Sequence, residues 1–134
     1  PYLIKNGLAD LKYSNQYLGR DELSEAIVKF DILAFCLKNN FSILASMPTK
    51  IGESLACGIP ILCNPFNDDI VQIIEHGGVG EIYDFIEPFS KEKYEKLLVK
   101  IKSNSISDLC NEFSRKEFSL ESGALLYKEI YQRI

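Results

Sequence analysis

The side chains best suited to chemistry lie together in one stretch, "SMPTKIGESLACG", from Ser46 to Gly58. Ser46 and Thr49 supply hydroxyl groups, Lys50 supplies a cation, and Glu53 supplies a carboxylate. Thr49 and Glu53 are four residues apart, which places them on one face if the stretch is helical. Such a set can hold a ligand that carries both an anionic group and neutral hydroxyl groups.

A helix is predicted to begin at Pro48 and Thr49 and to end before Gly58, because proline suits a helix start and glycine suits the position just past a helix end. The first N–H groups of a helix lack partners and carry a partial positive charge, so they can bind a phosphate. The Glu53 carboxylate can accept two hydrogen bonds from a vicinal diol. A phosphate at the helix tip and a diol one turn further along indicate a nucleotide.

The rest of the sequence alternates between short apolar runs and amphipathic stretches, which predicts strands alternating with helices. Strands are predicted at 16–19, 31–38, 60–64 and 79–84, and helices at 20–30, 49–57, 68–78, 90–102, 107–113 and 119–134. Asp68 or Asp69 is predicted to cap the third helix, residues 39–48 to form an irregular loop, and "KSNSISD" to form a linker. This alternation predicts an α/β fold with a parallel sheet flanked by helices.

In such a sheet, ligands bind outside the carboxyl ends of the strands, where loops lead into helix N-termini. The predicted loop 39–48 follows the apolar run 31–38, which is expected to be a strand buried on both faces. The same loop leads into the helix that carries Lys50 and Glu53. The proposed ligand residues are therefore expected to face the crevice at this edge of the sheet.

Composition limits the other functions. The chain has 134 residues, of which 46% are hydrophobic and 25% charged, as expected of one globular domain. The net charge of −4 argues against a nucleic acid partner or an anionic membrane surface. Four cysteines in apolar contexts, without CxxC spacing, predict buried, reduced thiols in a cytosolic protein rather than a metal, redox or disulfide framework.

The sequence begins at Pro1 rather than Met, which suggests a domain cut from a longer polypeptide or a trimmed chain. It contains no apolar run near the roughly 18 residues of a membrane span, and no signal peptide precedes the first predicted element.

The stretch "PTKIGESLACGIPILCN" resembles the donor-site motif of B-fold glycosyltransferases, in the large retaining family that includes bacterial mannosyl- and glucosyltransferases. Three further segments are similar to the family's flanking elements in the same order: "YLGRDELSEAIVKFDILAF", "DDIVQIIEHGGVGEIYD" and "FSLESGALLYKEIYQRI". The resemblance covers about residues 17–134. It implies a Rossmann-like fold that forms one half of the two-domain enzyme. Residues 1–134 would be the nucleotide-sugar donor-binding domain, and the acceptor domain would be absent.

The resemblance also implies roles for individual residues. Glu53 would bind the ribose hydroxyls of the donor, and the loop from Ser46 to Lys50 would hold the diphosphate largely through backbone N–H groups. The turn at Gly19, Arg20 and Asp21 would lie near the base. The donor-site residues implied in this way are Gly19, Arg20, Asp21, Ser46, Pro48, Thr49, Lys50 and Glu53. No catalytic residue is assigned. The family's diphosphate-neutralising Arg and Lys would lie upstream of this sequence.

One position departs from the family pattern. The commonest pattern has two glutamates, and the first of them corresponds to Ala45 here. No Asp-x-Asp metal motif is present, since Asp68 and Asp69 are adjacent. The resemblance therefore implies a donor site that uses neither a metal nor a further cofactor, with the nucleotide-diphosphate sugar as substrate.

The expected activity is transfer of a sugar from a nucleotide-diphosphate sugar to a glycan or lipid acceptor, as in polysaccharide biosynthesis, with the isolated chain inactive. A cytoplasmic location is expected, and peripheral association of the full-length protein with the inner membrane face is left open. Two alternatives also remain: a non-hydrolysing sugar-nucleotide epimerase, and a non-catalytic nucleotide-sugar-binding domain, which Ala45 favours. Lys50 and Glu53 could also form only a surface ion pair.

Overall fold

The computed structural model of the chain describes residues 12, 14, 17–38, 40–44, 46–84 and 90–133, with the backbone alone at positions 20 and 104. Within these residues the strands are β1 (Leu33–Phe35), β2 (Ile61–Cys63) and β3 (Gly80–Ile82). The helices are α1 (Arg20–Ile27), α2 (Phe41–Leu44), α3 (Thr49–Ala56), α4 (Asp68–Gly77), α5 (Lys91–Ile101), α6 (Asn104–Glu117) and α7 (Leu120–Tyr131).

The three strands form one parallel sheet in the order β1-β2-β3. Leu33 pairs with Ile61, and Ile61 pairs with Gly80, so the three strands start at the same level. The chain passes from β1 to β2 through α2 and α3, and from β2 to β3 through α4. The α/β fold with a parallel sheet flanked by helices, predicted from the sequence, is confirmed. The carboxyl ends of all three strands lie at one edge.

The hydrophobic core lies between the sheet and the helices α3, α4 and α6. Its buried side chains are Ile51, Leu55, Ile61, Cys63, Phe66, Ile70, Ile74, Val79, Ile106 and Cys110. Burial raises the pKa of the Cys63 thiol to about 12 and that of Cys110 to about 11, so both stay protonated at neutral pH. All four cysteines are free thiols. The prediction of buried thiols is correct for these two, whereas Cys57 is half-buried and Cys36 is exposed.

Local sequence signals set the ends of α3 and α4. Helix α3 begins at Thr49 after Pro48 and ends at the left-handed Gly58, as predicted. Helix α4 ends in the same way at Gly78, whose φ is 64°. The predicted cap of α4 is wrong, because Asn67 rather than an aspartate caps the helix: its side-chain oxygen accepts hydrogen bonds from two backbone N–H groups of the first turn.

Three other predictions are also corrected. Residues 17–19 of the predicted strand 16–19 have no regular structure, and Gln16 lies outside the described residues. The described sheet offers this segment no neighbouring strand with which to pair. Residues 104–108 of the predicted linker "KSNSISD" form the start of α6, because Ile106 and Cys110 pack into the core and that burial outweighs weak helix propensity. The predicted irregular loop 39–48 contains the short helix α2.

Strand β1 is less buried than predicted. Ala34 is exposed, and Leu33 and Phe35 are only partly buried. β1 is an edge strand of the described sheet, whereas β2 in the centre has two fully buried residues, Ile61 and Cys63. A continuous apolar run thus marks a strand, but the number of neighbouring elements decides how far each of its faces is buried.

Helix α7 is predicted to be amphipathic, and Ser119 caps it as predicted. None of its residues is buried. None of the helices in the described part of the chain combines the length and apolar character that crossing a membrane requires.

Gly58 and Gly123 provide a matched pair of tests. A Cβ at Gly58 would overlap the Ser107 hydroxyl oxygen, and the φ of 75° strains any L side chain. We expect Gly58→Ala to lower the free energy of unfolding by at least about 2 kcal/mol. Gly123 lies in α7, and beyond its chain neighbours and its own helix backbone no atom of the described residues lies within 4 Å of the place that a Cβ would occupy. Gly123→Ala should therefore raise stability by about 0.5–1 kcal/mol. Urea denaturation measures both. Equal effects of the two substitutions would contradict this account of the α3 terminus.

Candidate functional site

Asn64 joins the carboxyl ends of β1 and β2. Its side-chain oxygen accepts a hydrogen bond from the Leu37 N–H at 2.9 Å, and its side-chain nitrogen donates to the Leu37 carbonyl at 2.9 Å. Both backbone groups of Leu37 are therefore satisfied by one amide side chain just past the end of β1. This pair of bonds fixes the start of the segment from residue 36 to residue 48, which we name the β1–α3 loop.

Asn67 and Asn40 hold the middle of the β1–α3 loop. The Asn67 side-chain nitrogen donates to the Leu44 carbonyl at 2.6 Å, while its oxygen caps α4. The Asn40 side-chain oxygen accepts from the Ile43 N–H at 3.1 Å and so caps α2. Because Asn64 and Asn67 both follow β2, the loop after β1 is anchored to the loop after β2 at the carboxyl edge of the sheet.

The first turn of α3 follows directly from this anchored loop. Pro48 is the N-cap residue, and no side chain of the described residues forms a capping hydrogen bond there. The Pro48 carbonyl accepts from the Ile51 N–H at 3.0 Å, which closes the first turn. The turn contains no acidic side chain, as in α2 and α6 and unlike the first turns of α1, α4, α5 and α7. Its positive partial charge is therefore not offset locally by an anionic residue at the helix start.

Lys50 and Glu53 form an ion pair on the exposed face of α3. The Lys50 Nζ lies 2.7 Å from the Glu53 Oε2, and the two side chains are 51% and 45% exposed. An exposed pair of this kind contributes about 0.2–1 kcal/mol, so it restrains the two side chains only weakly. The ion pair expected as the simplest alternative is thus present. It leaves the carboxylate with further acceptor capacity, since an ionised carboxylate has about four lone-pair sites.

Glu53 lies between two cavities. The first, about 470 Å³, is bounded by the outer face of α3 and the end of α6: its lining residues include Met47, Pro48, Thr49, Gly52, Glu53, Ala56, Ser114 and Phe118. The second, about 310 Å³, is bounded by α1 and α3: its lining residues include Leu23, Ser24, Ile27, Glu53, Ala56 and Cys57. Glu53 therefore lines accessible space on both flanks of α3.

Contacts on the other faces hold α3 in place. Ser54 is fully buried and donates its hydroxyl to the Ile59 carbonyl at 3.2 Å. Ser114 of α6 donates to the Gly52 carbonyl at 3.4 Å. The Phe118 ring lies 3.5 Å from the position of a Cβ on Gly52, so the small residue lets the end of α6 approach closely. Packing from two sides thus fixes the helix that carries the predicted ligand residues.

The structure brings most of the predicted donor-site residues to one helix end. Pro48 and Thr49 line the first cavity beside Glu53, and Lys50 pairs with Glu53. Ser46 is partly buried and donates its N–H to the Ile43 carbonyl at 2.9 Å, so its backbone N–H is already engaged. Ala45 lies outside the described residues.

The predicted base-side turn lies at the start of α1. Gly19 is the N-cap residue of that helix, and its N–H donates to the Glu22 carboxylate at 2.9 Å. Asp21 is exposed. Neither Gly19 nor Asp21 is among the described residues that line the two cavities beside Glu53, although the middle of α1 lines the second one. Position 20 is described by its backbone alone.

Other reactive side chains lie elsewhere or have structural surroundings. His76 is exposed in the last turn of α4, where a cation suits the helix dipole. No group of three His, Cys, Asp or Glu side chains within the described ranges could hold a metal ion. A separate, mostly apolar cavity of about 270 Å³ lies between α5 and the strands β2 and β3, with Leu62, Tyr83 and Leu97 in its lining. It contains none of the residues predicted from the sequence.

Sequence reasoning misses the residues that position the site. The sequence pattern assigns Asn64 to a strand end and Asn67 to a loop, yet their side chains make the bonds that fix the β1–α3 loop. A local signal exists for Asn67, since an asparagine directly before "DDIVQII" is a preferred cap. The roles of Ser114 and Phe118 depend on how α6 packs against α3, for which no local signal exists.

Comparison of the chain with models of protein families, with curated proteins and with solved structures gives no match.

Asn64→Ala should destabilise the β1–α3 loop. It removes both partners of the Leu37 backbone, and leaving partly buried groups unsatisfied costs about 1–3 kcal/mol. The Leu37 amide should also exchange with solvent faster. The matched control is Asn111→Ala, which removes the hydrogen bond that the Asn111 side-chain nitrogen donates to the Ser107 carbonyl within α6. We expect it to lower the free energy of unfolding by less than about 1 kcal/mol. Hydrogen exchange followed by NMR, together with urea denaturation, measures both. Unchanged exchange at Leu37 in Asn64→Ala would show that the side chain does not fix the loop.

Proposed function

We propose that this chain is the nucleotide-sugar donor-binding domain of a B-fold retaining glycosyltransferase. The observation that carries the proposal is the uncapped N-terminus of α3 at the carboxyl edge of a parallel sheet, with Lys50 beside it and Glu53 one turn further along. The order of sequence segments, which resembles that of this family, is a further argument for the proposal. The donor diphosphate binds at Ser46 to Lys50, and the Glu53 carboxylate accepts hydrogen bonds from the ribose diol.

The site contributes to sugar transfer through electrostatics. The diphosphate leaving group gains negative charge as the bond to the sugar breaks. Backbone N–H dipoles that are already oriented at the start of α3, together with the Lys50 ammonium, stabilise that charge without having to reorganise during the reaction. Thr49 contributes a hydroxyl donor to the same group. The transferred sugar goes to a glycan or lipid acceptor, which is bound by the second domain of the enzyme.

A non-catalytic nucleotide-sugar-binding domain is the second candidate, and Ala45 favours it. Ala45 occupies the position of the first glutamate in the commonest family pattern, a residue that acts near the donor sugar or phosphate. An alanine cannot supply a carboxylate there. Donor binding without sugar transfer by the full-length protein, measured with labelled donor and a panel of acceptors, would identify the binding-only function. Transfer would exclude it.

Glu53→Ala should weaken nucleotide binding without unfolding the chain. Loss of charge-assisted hydrogen bonds to the ribose should reduce affinity for the nucleoside diphosphate that binds best, among UDP, GDP and ADP, by about 1.5–3 kcal/mol. The side chain is half exposed and weakly paired, so the free energy of unfolding should change by less than about 1 kcal/mol. Calorimetry measures the affinity.

Glu95→Ala is the matched control, since Glu95 also belongs to an exposed intrahelical ion pair, with Lys91 on α5. It should leave nucleotide affinity unchanged. Equal affinities of Glu53→Ala and the parent chain would contradict the assignment of Glu53, and absence of binding to all three diphosphates by the parent chain would contradict the proposed function.

A further inference from the structure

Polar contacts attach helix α5 to the region of β3 at both ends of the helix. Near the start of α5, the Tyr83 hydroxyl oxygen accepts a hydrogen bond from the Ser90 N–H at 3.0 Å, and Ser90 caps the helix. Near its end, the Lys100 Nζ donates to the Gly80 carbonyl at 2.6 Å and to the Glu81 Oε1 at 3.2 Å. These contacts hold the helix at a fixed distance from the sheet.

The mostly apolar cavity of about 270 Å³ lies along α5 between these two attachments. Leu97 forms a closely packed part of its wall and is only 6% exposed, whereas Tyr94, one turn earlier, is 46% exposed. Sites for small molecules usually measure about 300–1,000 Å³, so this cavity suits a molecule of one or two rings rather than a nucleotide. The described residues in its lining are Leu62, Glu81, Ile82, Tyr83, Lys93, Tyr94, Lys96 and Leu97.

The charges around the cavity favour an anion. Lys93 and Lys96 line it, and Glu81, the acidic residue among the described lining residues, is paired with Lys100. Lys96 lies 2.9 Å from Glu92, but the two side chains are 72% and 79% exposed, so this pair is weak. Helix α5 contains four lysines and two glutamates, whereas the whole chain has a net charge of −4. Positive charge is therefore concentrated beside the cavity in an otherwise acidic chain.

The tyrosines in the lining favour a flat aromatic body. The Lys93 Nζ lies 5.9 Å from the centroid of the Tyr83 ring, a distance at which an ammonium group and a ring attract each other. This contact keeps a cation beside an aromatic wall of the cavity. Aromatic rings pack favourably against one another in offset or edge-to-face arrangements, and Tyr94 supplies a second ring. An aliphatic chain of the same volume gains no such ring packing.

We propose that the cavity between α5 and the sheet binds a small aromatic carboxylate. The aromatic body packs against Tyr83, Tyr94 and Leu97, and the carboxylate accepts charge-assisted hydrogen bonds from the ammonium groups of Lys93 and Lys96. This site shares none of its described lining residues with the two cavities beside Glu53, so it does not depend on the proposed donor site.

The test is an NMR titration of the chain with three probes: 2-naphthoate, its neutral analogue 2-naphthamide, and octanoate. We expect 2-naphthoate to cause its largest chemical shift changes at the backbone amides of Leu62, Tyr83 and Leu97. The amide analogue should bind about 1.4- to 5-fold more weakly, which is the range for loss of one exposed charge pair. Octanoate, which carries the charge without the rings, should also bind more weakly than 2-naphthoate.

Variants of α5 identify the residues that recognise the carboxylate. The double substitution Lys93→Met and Lys96→Met should remove the preference for 2-naphthoate over 2-naphthamide, and it should preserve the fold because both side chains are exposed. Lys91→Met is the control. It removes a lysine of the same helix that pairs with Glu95 and is not among the described lining residues, so the full preference should remain.

Four outcomes would overturn the inference. Absence of shift changes with 2-naphthoate at millimolar concentration would show that the cavity binds no such ligand. Equal affinities for 2-naphthoate and 2-naphthamide, or a preference that survives the double substitution, would show that the two lysines do not recognise an anion. Tighter binding of octanoate would contradict the aromatic class. Shift changes centred on the start of α3 would place the ligand in the other site.

Discussion

The two hydrogen bonds between the Asn64 side chain and the Leu37 backbone are the constraint on which the candidate site depends. Each strand of the sheet is only three residues long, so the backbone ladder provides few bonds between β1 and β2. The amide of Asn64 extends that connection past the end of β1, into the region where the chain leaves the sheet. Without this side chain, the β1–α3 loop would lose the hydrogen bonds that fix its start. The position of the α3 N-terminus relative to the sheet would then be less restrained.

Different faces of helix α3 carry the side chains that stabilise the fold and the side chains proposed to bind the ligand. Ile51 and Leu55 on its inner face are fully buried, and burial of such side chains contributes about 1.5–3 kcal/mol each. Ser114 of α6 and Phe118, which directly follows that helix, support a second side, where Gly52 allows close approach. The remaining outer face carries Glu53, which therefore adds little to the packing. A helix held firmly on two sides can present charged side chains on the third without losing its position.

The sequence is sufficient to predict the features that local chemistry determines. Both ends of α3 follow from Pro48 and Gly58, and the α/β fold follows from alternating apolar runs and amphipathic stretches. Predictions that depend on neighbouring elements are less successful. The polar residues at the start of α6 are typical of a linker, and only the burial of Ile106 and Cys110 in the core explains why they form a helix. Ala34 is exposed because β1 lies at the edge of the described sheet. Asn67, Asp68 and Asp69 are consecutive and all of types that cap helices well, so the sequence alone does not decide which of them is the cap.

Amide chemical shifts measured as a nucleoside diphosphate is added provide the most direct test of the central claim, which is that the start of α3 binds the diphosphate. The account predicts that the largest changes occur at the backbone amides of Ser46, Met47, Thr49, Lys50 and Glu53, with smaller changes along the rest of the β1–α3 loop. Changes that instead centre on Leu62, Tyr83 and Leu97, around the apolar cavity beside α5, or that are absent at saturating ligand, would contradict it.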